Sequence, residues 1–253
     1  MNWLRRVRFF VLGILCIWVT HSLAYFLHEY AHSFAAWLLG CKANPWALDY
    51  GTLNLKNVLF LAQVDENVDY STIFAHGRGH AAAFIAFAGA GIGNGLLYVL
   101  ARLLLGKAAV RMKRWLFSLL FWIEFMCLGN FYDYFPARTF ASHGDMAHIA
   151  DGLRISPWLI VVAFGYPIAW ALWHFFARAL PDALPLLGAD TKTLRLVVVV
   201  TCVVGLFGYF GSSGYFGYGE VSHTLSGLSM LAVPGVIVAC CFSARMRSLG
   251  EKH

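Results

Sequence analysis

Six long apolar stretches, separated by shorter polar segments, dominate the pattern of this 253-residue chain. A helix that crosses a bilayer needs about 20 mostly apolar residues. The stretches of this length are residues 9–39, 80–105, 115–135, 157–178, 194–213 and 224–244. The first would extend over about 46 Å as a helix, so we expect it to tilt or to protrude. The pattern predicts an all-α integral membrane protein, a bundle of about six transmembrane helices.

The connection between the first two stretches, residues 41–79, lacks the pattern of another helix. Pro45 and Gly51 interrupt it, and residues 53–58 partly alternate between apolar and polar. A short β-like or extended segment near the membrane surface fits this pattern, and so does an ordinary polar loop. No internal repeat or linker divides the chain, so residues 1–253 are predicted to form a single polytopic membrane domain.

Composition agrees with a membrane protein and argues against a soluble domain and against a nucleic-acid-binding protein. The chain is 60% hydrophobic and 13% charged, whereas soluble domains are about 25% charged. The net charge of +6 would suit a nucleic-acid partner. However, the basic residues flank the apolar stretches and form no single stripe, so we expect the lipid bilayer and no nucleic acid. The cysteines suggest neither a disulfide framework nor a Cys-x-x-Cys site.

The distribution of basic residues predicts the orientation. Of the 19 lysines and arginines, 14 fall on the side of the N-terminus and 5 on the other. Basic residues concentrate in cytoplasmic loops, so both termini are expected in the cytoplasm, with the protein in the plasma (inner) membrane. The apolar stretch after Arg5, Arg6 and Arg8 is longer than the core of a signal peptide. The first helix is therefore expected to remain as an anchor.

The first apolar stretch contains the candidate chemistry. Its only fully charged residue is Glu29, within the motif His28-Glu29-Tyr30-Ala31-His32. Histidines four residues apart project from one face of a helix and can bind one zinc ion. The glutamate is then placed as a general base for zinc-dependent hydrolysis. Ionisable residues in such a segment are costly and usually functional. The alternative is that the histidines pack and hydrogen-bond within the bundle.

A zinc site needs a third protein ligand. The motif lies near the end of the first helix, and the same membrane face receives the start of the second helix, the end of the third and the connection between the fifth and sixth. Polar residues at these places are His76, His80, Asn130, Asp133, His143, Asp145, His148, Glu220 and His223. Their shared location predicts one polar site on this side.

At three places the chain resembles the site-2 protease family of intramembrane zinc metalloproteases. Residues 28–32 match the family's zinc motif fully. Residues 90–94, Ala-Gly-Ile-Gly-Asn, are similar to its Gly-Pro-x-x-Asn element without the proline. Residues 130–136, followed by Gly144 and Asp145, are similar to its Asn…Pro…Asp-Gly element. In this third element the Asn-to-Pro and Pro-to-Asp spacings are longer than in the family, and the Asp-Gly order is reversed.

The resemblance implies Zn²⁺ bound by His28 and His32, with Glu29 as the general base. In the family, the Asn…Pro…Asp-Gly element supplies the third zinc ligand. This resemblance favours Asp145, because that residue follows the proline and adjoins a glycine. Asp133 is the alternative third ligand. For either aspartate, a solvated loop acid or a helix cap is the competing interpretation.

Asn94 has two interpretations. Its amide could donate a hydrogen bond to a substrate carbonyl or to the developing oxyanion, which would give it a catalytic role. Alternatively, it belongs to a small-residue surface that permits close helix packing. That surface contains Gly89, Gly91, Gly93 and Gly95.

The resemblance implies an enzyme, a zinc metalloendopeptidase that hydrolyses a peptide bond of a membrane-anchored protein substrate. It implies a metalloprotease-like core over about residues 9–150 and additional helices over about 157–244. A membrane helix must unwind before it is cut, and an extended segment within residues 46–62 could hold it by strand addition. Two other functions stay open: a membrane zinc hydrolase of a lipid amide or ester, and a non-catalytic metal-binding transporter or scaffold.

Overall fold

The computed structural model describes residues 3–242, and within that range the chain is almost entirely helical. Its principal helices are α1 (Trp3–Leu38), α2 (Leu55–Phe60), α3 (Tyr70–Ala75), α4 (Gly79–Leu105), α5 (Arg114–Ala137), α6 (Asp145–Leu153), α7 (Pro157–Ala183), α8 (Lys192–Ser212) and α9 (Glu220–Phe242). Six of them, α1, α4, α5, α7, α8 and α9, are long and apolar enough to cross a membrane, which confirms the predicted bundle. The end of the last predicted stretch and the basic residues after it lie outside the described range.

Helix α1 is longer than a bilayer requires. Its 36 residues extend over about 54 Å, whereas the hydrocarbon core is about 30 Å thick. All of its buried residues lie between Thr20 and Ala36. The preceding residues carry large apolar side chains that remain exposed, as lipid contact would favour. The second half of α1 therefore belongs to the interior of the bundle, and the first half lies largely at its periphery.

One buried helix and one close contact between helices position the interior. Helix α5 lies in the core, and residues 120–129 are buried without interruption. Helices α4 and α6 approach each other at two glycines: a Cβ atom on Gly79 would lie 3.0 Å from the carbonyl oxygen of Gly152. Because only small residues allow such an approach, α6 is held against α4 with its first residue, Asp145, directed towards α1.

The connection after α1 is a loop with two short helices. Asp49 and Asp65 form an isolated antiparallel bridge, with N–H···O distances of 3.0 and 2.9 Å. The predicted extended segment within residues 46–62 is replaced in part by α2. This helix forms because Oδ1 of Asn54 accepts a hydrogen bond from the backbone N–H of Asn57 at 2.9 Å, as an N-cap does.

Candidate metal centre

Two histidines and one aspartate meet inside the bundle. His28 and His32, one turn apart on α1, are 3% and 1% exposed, and their Nε2 atoms are 2.9 Å apart. Oδ2 of Asp145 lies 3.5 Å from Nε2 of His28 and 3.3 Å from Nε2 of His32. Two nitrogens and one oxygen thus converge from two helices, and together they could hold a metal ion. We call these three residues the His–His–Asp group.

Hydrogen bonds on the far side of each ring set the proton positions of both histidines. Asn94 donates from Nδ2 to the carbonyl oxygen of Ala24 at 3.0 Å, so its Oδ1 faces Nδ1 of His28 at 2.9 Å. Nδ1 of His32 faces the carbonyl oxygen of Ile85 at 2.6 Å. Because these oxygens only accept hydrogen bonds, each Nδ1 carries a proton, and Nε2 of each imidazole is turned towards the other ring.

The His–His–Asp group fits a divalent metal. Two lone pairs and a carboxylate oxygen at such short separations repel one another unless positive charge lies among them. Tetrahedral zinc with ligand distances of about 2.0–2.2 Å requires ligand atoms about 3.4 Å apart. The measured separations of 2.9, 3.3 and 3.5 Å bracket that value. Both the chemistry and the spacing of the donor atoms therefore suit a metal with three protein ligands.

Asp145, and not the alternative Asp133, is the aspartate next to the histidines. Burial by itself would raise the pKa of Asp145, but the imidazoles of His32 and His28 outweigh it and hold that pKa below its usual value. The carboxyl is therefore anionic, as a metal ligand must be. Oδ2 of Asp133 instead accepts a hydrogen bond from Nη2 of Arg138 at 2.5 Å, and both residues line the cavity described below.

The remaining wall of the site is backbone, because a glycine of α4 lies against both imidazoles. Residues Ala88–Asn94 form a π-helical turn within α4, a distortion common at functional sites. A Cβ atom on Gly89 would lie 2.6 Å from Nε2 of His28 and closer still to Nε2 of His32. Any side chain at this position would therefore fill the space between the ligands.

Asn94 holds His28 in place. Its side chain is fully buried, and both ends of its amide are used, by the carbonyl of Ala24 and by Nδ1 of His28. The amide faces the back of the imidazole and is fully buried, so the contacts that it makes are positioning contacts, and the oxyanion role stays a prediction. The interhelical alternative is closer to what is found. A hydrogen bond to the second nitrogen of a metal-binding histidine fixes its tautomer and its orientation.

Glu29 lies beside the His–His–Asp group without joining it. It is 6% exposed, and its carboxylate forms no hydrogen bond or ion pair within residues 3–242. It is close enough to interact electrostatically with His32, Asp145 and a second buried acid, Glu66. Burial raises the pKa of Glu66 even though His32 opposes that shift. An unpaired carboxylate next to a metal-binding group is suited to proton transfer.

An open cavity of about 650 Å³ reaches the site at His28. The hydroxyl of Tyr134 lies 3.1 Å from Nε2 of His28, and the two rings stack with centroids 5.1 Å apart. The guanidinium of Arg138 lies 4.1 Å above the Tyr134 ring. Nε of Arg138 and Oδ1 of Asp133 are buried without hydrogen-bond partners. Arg138 and Asp133 both line the cavity, although these two atoms are themselves enclosed by protein.

The other polar residues predicted for this side lie outside the His–His–Asp group. His143 stacks on Tyr218, His148 stacks on Tyr70, and His223 contacts the carbonyl oxygen of Tyr215. Among residues 3–242, no second group of metal-binding side chains is found. The clustering predicted from topology is thus too broad, since only Asp145 of these residues joins the two histidines.

Several residues that form the site were not predicted to be part of it. Gly89, Glu66 and the carbonyl oxygen of Ile85 bear no signal that separates them from other glycines, loop acids or backbone groups. Tyr134 does have a signal, because it lies in the 130–136 segment that resembles a family element. The resemblance of this segment thus marks the Tyr134 hydroxyl as a candidate hydrogen-bond donor at the site.

Within residues 3–242, the fold and the site define a helical bundle with six helices of membrane-spanning length and a buried His–His–Asp group that could hold a metal ion. Comparison of the chain with protein-family models, curated proteins and solved structures gives no match. A functional assignment therefore rests on the motif and on the geometry around it.

Proposed function

We propose that this protein is an intramembrane zinc metallopeptidase, similar to the site-2 protease family, that hydrolyses a peptide bond of a membrane-anchored protein. One observation carries the proposal: the donor atoms of His28, His32 and Asp145 converge within 3.5 Å, next to the buried Glu29 of the same motif. Zinc is the metal that suits this set, since catalytic zinc sites combine imidazole and carboxylate in three protein ligands and leave one position open.

The residues of the chain divide the chemistry among them. A zinc ion held by the His–His–Asp group would supply Lewis acidity and lower the pKa of water to about 7. Glu29 takes the proton from the attacking water and delivers it to the leaving amine. The hydroxyl of Tyr134, which points to the same place, donates a hydrogen bond to the carbonyl oxygen of the substrate. Asn94 and the carbonyl of Ile85 keep the imidazoles oriented.

The 650 Å³ cavity supports a peptide substrate. An unwound membrane segment carries N–H and C=O groups that have lost their helical partners. The cavity lining includes the ion pair of Asp133 and Arg138, whose carboxylate and guanidinium are an acceptor and a donor for such groups. Because these two residues neutralise each other, they suit an uncharged amide better than an anionic lipid headgroup. The lining also includes the exposed Lys56. With α2 present, the hydrogen bonds to the peptide would come from this cavity rather than from a long edge strand.

The proposal includes an orientation with both termini in the cytoplasm of the plasma (inner) membrane, supported by the distribution of lysine and arginine. This orientation puts the His–His–Asp group nearer the extracytoplasmic face, whereas the resemblance to site-2 proteases implies a site nearer the cytoplasm. Labelling of a cysteine introduced into the loop of residues 107–114 would decide between the two. Labelling only from the extracytoplasmic side would reverse the orientation and leave the metal site unchanged.

Metal analysis of the purified protein tests the ligand set. We expect one zinc per chain in the wild type, loss of zinc in His28→Ala, His32→Ala and Asp145→Ala, and retention in the matched control Asp133→Ala. Removing one of three ligands eliminates most of the affinity because the others cannot complete the site. Zinc that persists in Asp145→Ala, or is lost in Asp133→Ala, would contradict the assignment.

Glu29→Gln tests the chemistry separately from metal binding. We expect this variant to retain zinc and to lose at least about 100-fold in cleavage of single-span membrane proteins with terminal reporters, because the base is gone. Unchanged cleavage would overturn the role of Glu29. Zinc binding with no hydrolysis by the wild type would favour a transporter or scaffold, and hydrolysis of a lipid amide or ester alone would favour the lipid enzyme.

A further inference from the structure

A second cavity, of about 700 Å³, lies between α1, α5 and α8 at the opposite end of α1 from the His–His–Asp group. The last α1 residue in its lining, Ile17, precedes His28 by 11 residues, about 16 Å along the helix axis. No residue of the His–His–Asp group lines it. The proposed peptidase chemistry therefore does not account for this cavity.

The walls of this cavity are largely apolar and about one leaflet deep. Along α1 the apolar part of the lining runs from Phe9 to Ile17, which corresponds to about 12 Å. One leaflet accounts for half of a hydrocarbon core about 30 Å thick, or about 15 Å. Trp115 and Trp122 of α5 and Val198 of α8 form the facing walls. The cavity thus matches a lipid chain in length, and it is too short to cover a protein helix that crosses both leaflets.

Arginines from two helices line the end of this cavity that lies farther from the His–His–Asp group. Arg5 and Arg8 come from the start of α1, and Arg114 is the first residue of α5. Oδ2 of Asp190 pairs with Arg5 at 2.5 Å. Among residues 3–242, no carboxylate lies within 4.0 Å of Arg8 or Arg114. Three positive charges and one negative charge leave a surplus of two positive charges beside an apolar cavity.

We propose that this cavity, the arginine-capped groove, binds one anionic phospholipid, with its phosphate at Arg8 and Arg114 and an acyl chain along α1 towards Ile17. Charge complementarity selects the headgroup, since a zwitterionic lipid would leave the positive surplus uncompensated. Basic residues at helix ends serve topology in general, but topology does not require them to converge from two helices onto one groove. The predicted orientation puts the groove in the cytoplasmic leaflet, where anionic lipids are attracted by basic segments.

Lipid retention by the purified full-length protein tests this site through its charge. The probes are phosphatidylglycerol and phosphatidylcholine in detergent micelles, with bound lipid counted by native mass spectrometry. We expect preferential retention of one phosphatidylglycerol. Arg8→Gln and Arg114→Gln should each weaken it about 5-fold, and the double variant about 25-fold. The matched control is Arg6→Gln, which removes the same charge from the same helix outside the lining.

A steric variant tests the site through its shape. A Cβ atom added to Gly13, which lines the groove, would meet nothing within 4 Å. Gly13→Phe should therefore fold normally, fill the groove and reduce phosphatidylglycerol retention at least about 10-fold. Gly235→Phe is the control, because its Cβ is equally open but lies on α9 outside the groove.

Three results would overturn the site: equal retention of the two lipids, equal weakening by Arg6→Gln and Arg8→Gln, or full retention in Gly13→Phe. Zinc content should be unchanged in every one of these variants, because none touches the His–His–Asp group. Failure of the lipid proposal would thus leave the metallopeptidase proposal intact, and the reverse also holds.

Discussion

The two halves of α1 have similar apolar sequences and very different surroundings. From residue 20 onwards, α1 buries eight side chains, among them His28, Glu29 and His32, whereas the described residues before that point are exposed or half-buried. The difference comes from the parts of the protein that lie next to each half. The second half lies against the glycine-rich π-helical turn of α4, and a Cβ atom on Gly93 would lie 2.8 Å from the carbonyl oxygen of Leu27. The first half borders the arginine-capped groove. Polar chemistry thus occurs where backbone packing excludes lipid.

The largest contrast is expected from adding one methyl group to a glycine in each region. Gly89→Ala should abolish stoichiometric zinc binding, because its Cβ would occupy the space between the two Nε2 atoms. Gly13→Ala should leave zinc content at the wild-type level, since its Cβ meets nothing within 4 Å. Zinc content of both purified variants measures this. Full zinc occupancy in Gly89→Ala would show that the glycine does not form the wall of the site.

A smaller effect is expected from the residue that orients His28. Asn94→Ala should weaken zinc binding about 10- to 100-fold without abolishing it, as loss of a hydrogen bond to a metal-binding histidine usually does. The matched control is Asn130→Ala, whose amide donates to the carbonyl oxygen of Met126 within α5 and touches no imidazole. Competition with a zinc chelator gives both affinities. Equal affinities would remove the positioning role.

The smallest effect concerns stability and compares the two halves directly. Ala36 is fully buried, so Ala36→Leu should overpack the interior and cost about 1–3 kcal/mol of unfolding free energy. Leu15 is 51% exposed, and Leu15→Ala should change that free energy by no more than about 0.5 kcal/mol. Thermal unfolding in detergent reports both. A similar loss of stability in the two variants would show that the halves of α1 are packed alike.

Much of the architecture could be predicted from the sequence because lipid imposes a strong constraint on composition. The number of spans and their approximate limits follow from runs of apolar residues, since each run must cross about 30 Å of hydrocarbon. His28, Glu29 and His32 stand out for the same reason, because ionisable groups are rare in such runs. The loop of residues 41–79 was ambiguous, since alternation over six residues does not distinguish an extended segment from a capped short helix.

The pairing of His28 and His32 on α1 was thus determined by the sequence alone, because i, i+4 spacing puts two side chains on one helix face whatever the rest of the chain does. Only the tertiary structure placed Asp145, and not Asp133, beside the histidines, turned the amide of Asn94 towards His28, and brought Gly89 and Tyr134 to the same place. These depend on how closely α4, α5 and α6 approach α1, and such distances arise from packing between residues far apart in the chain, which local spacing does not encode.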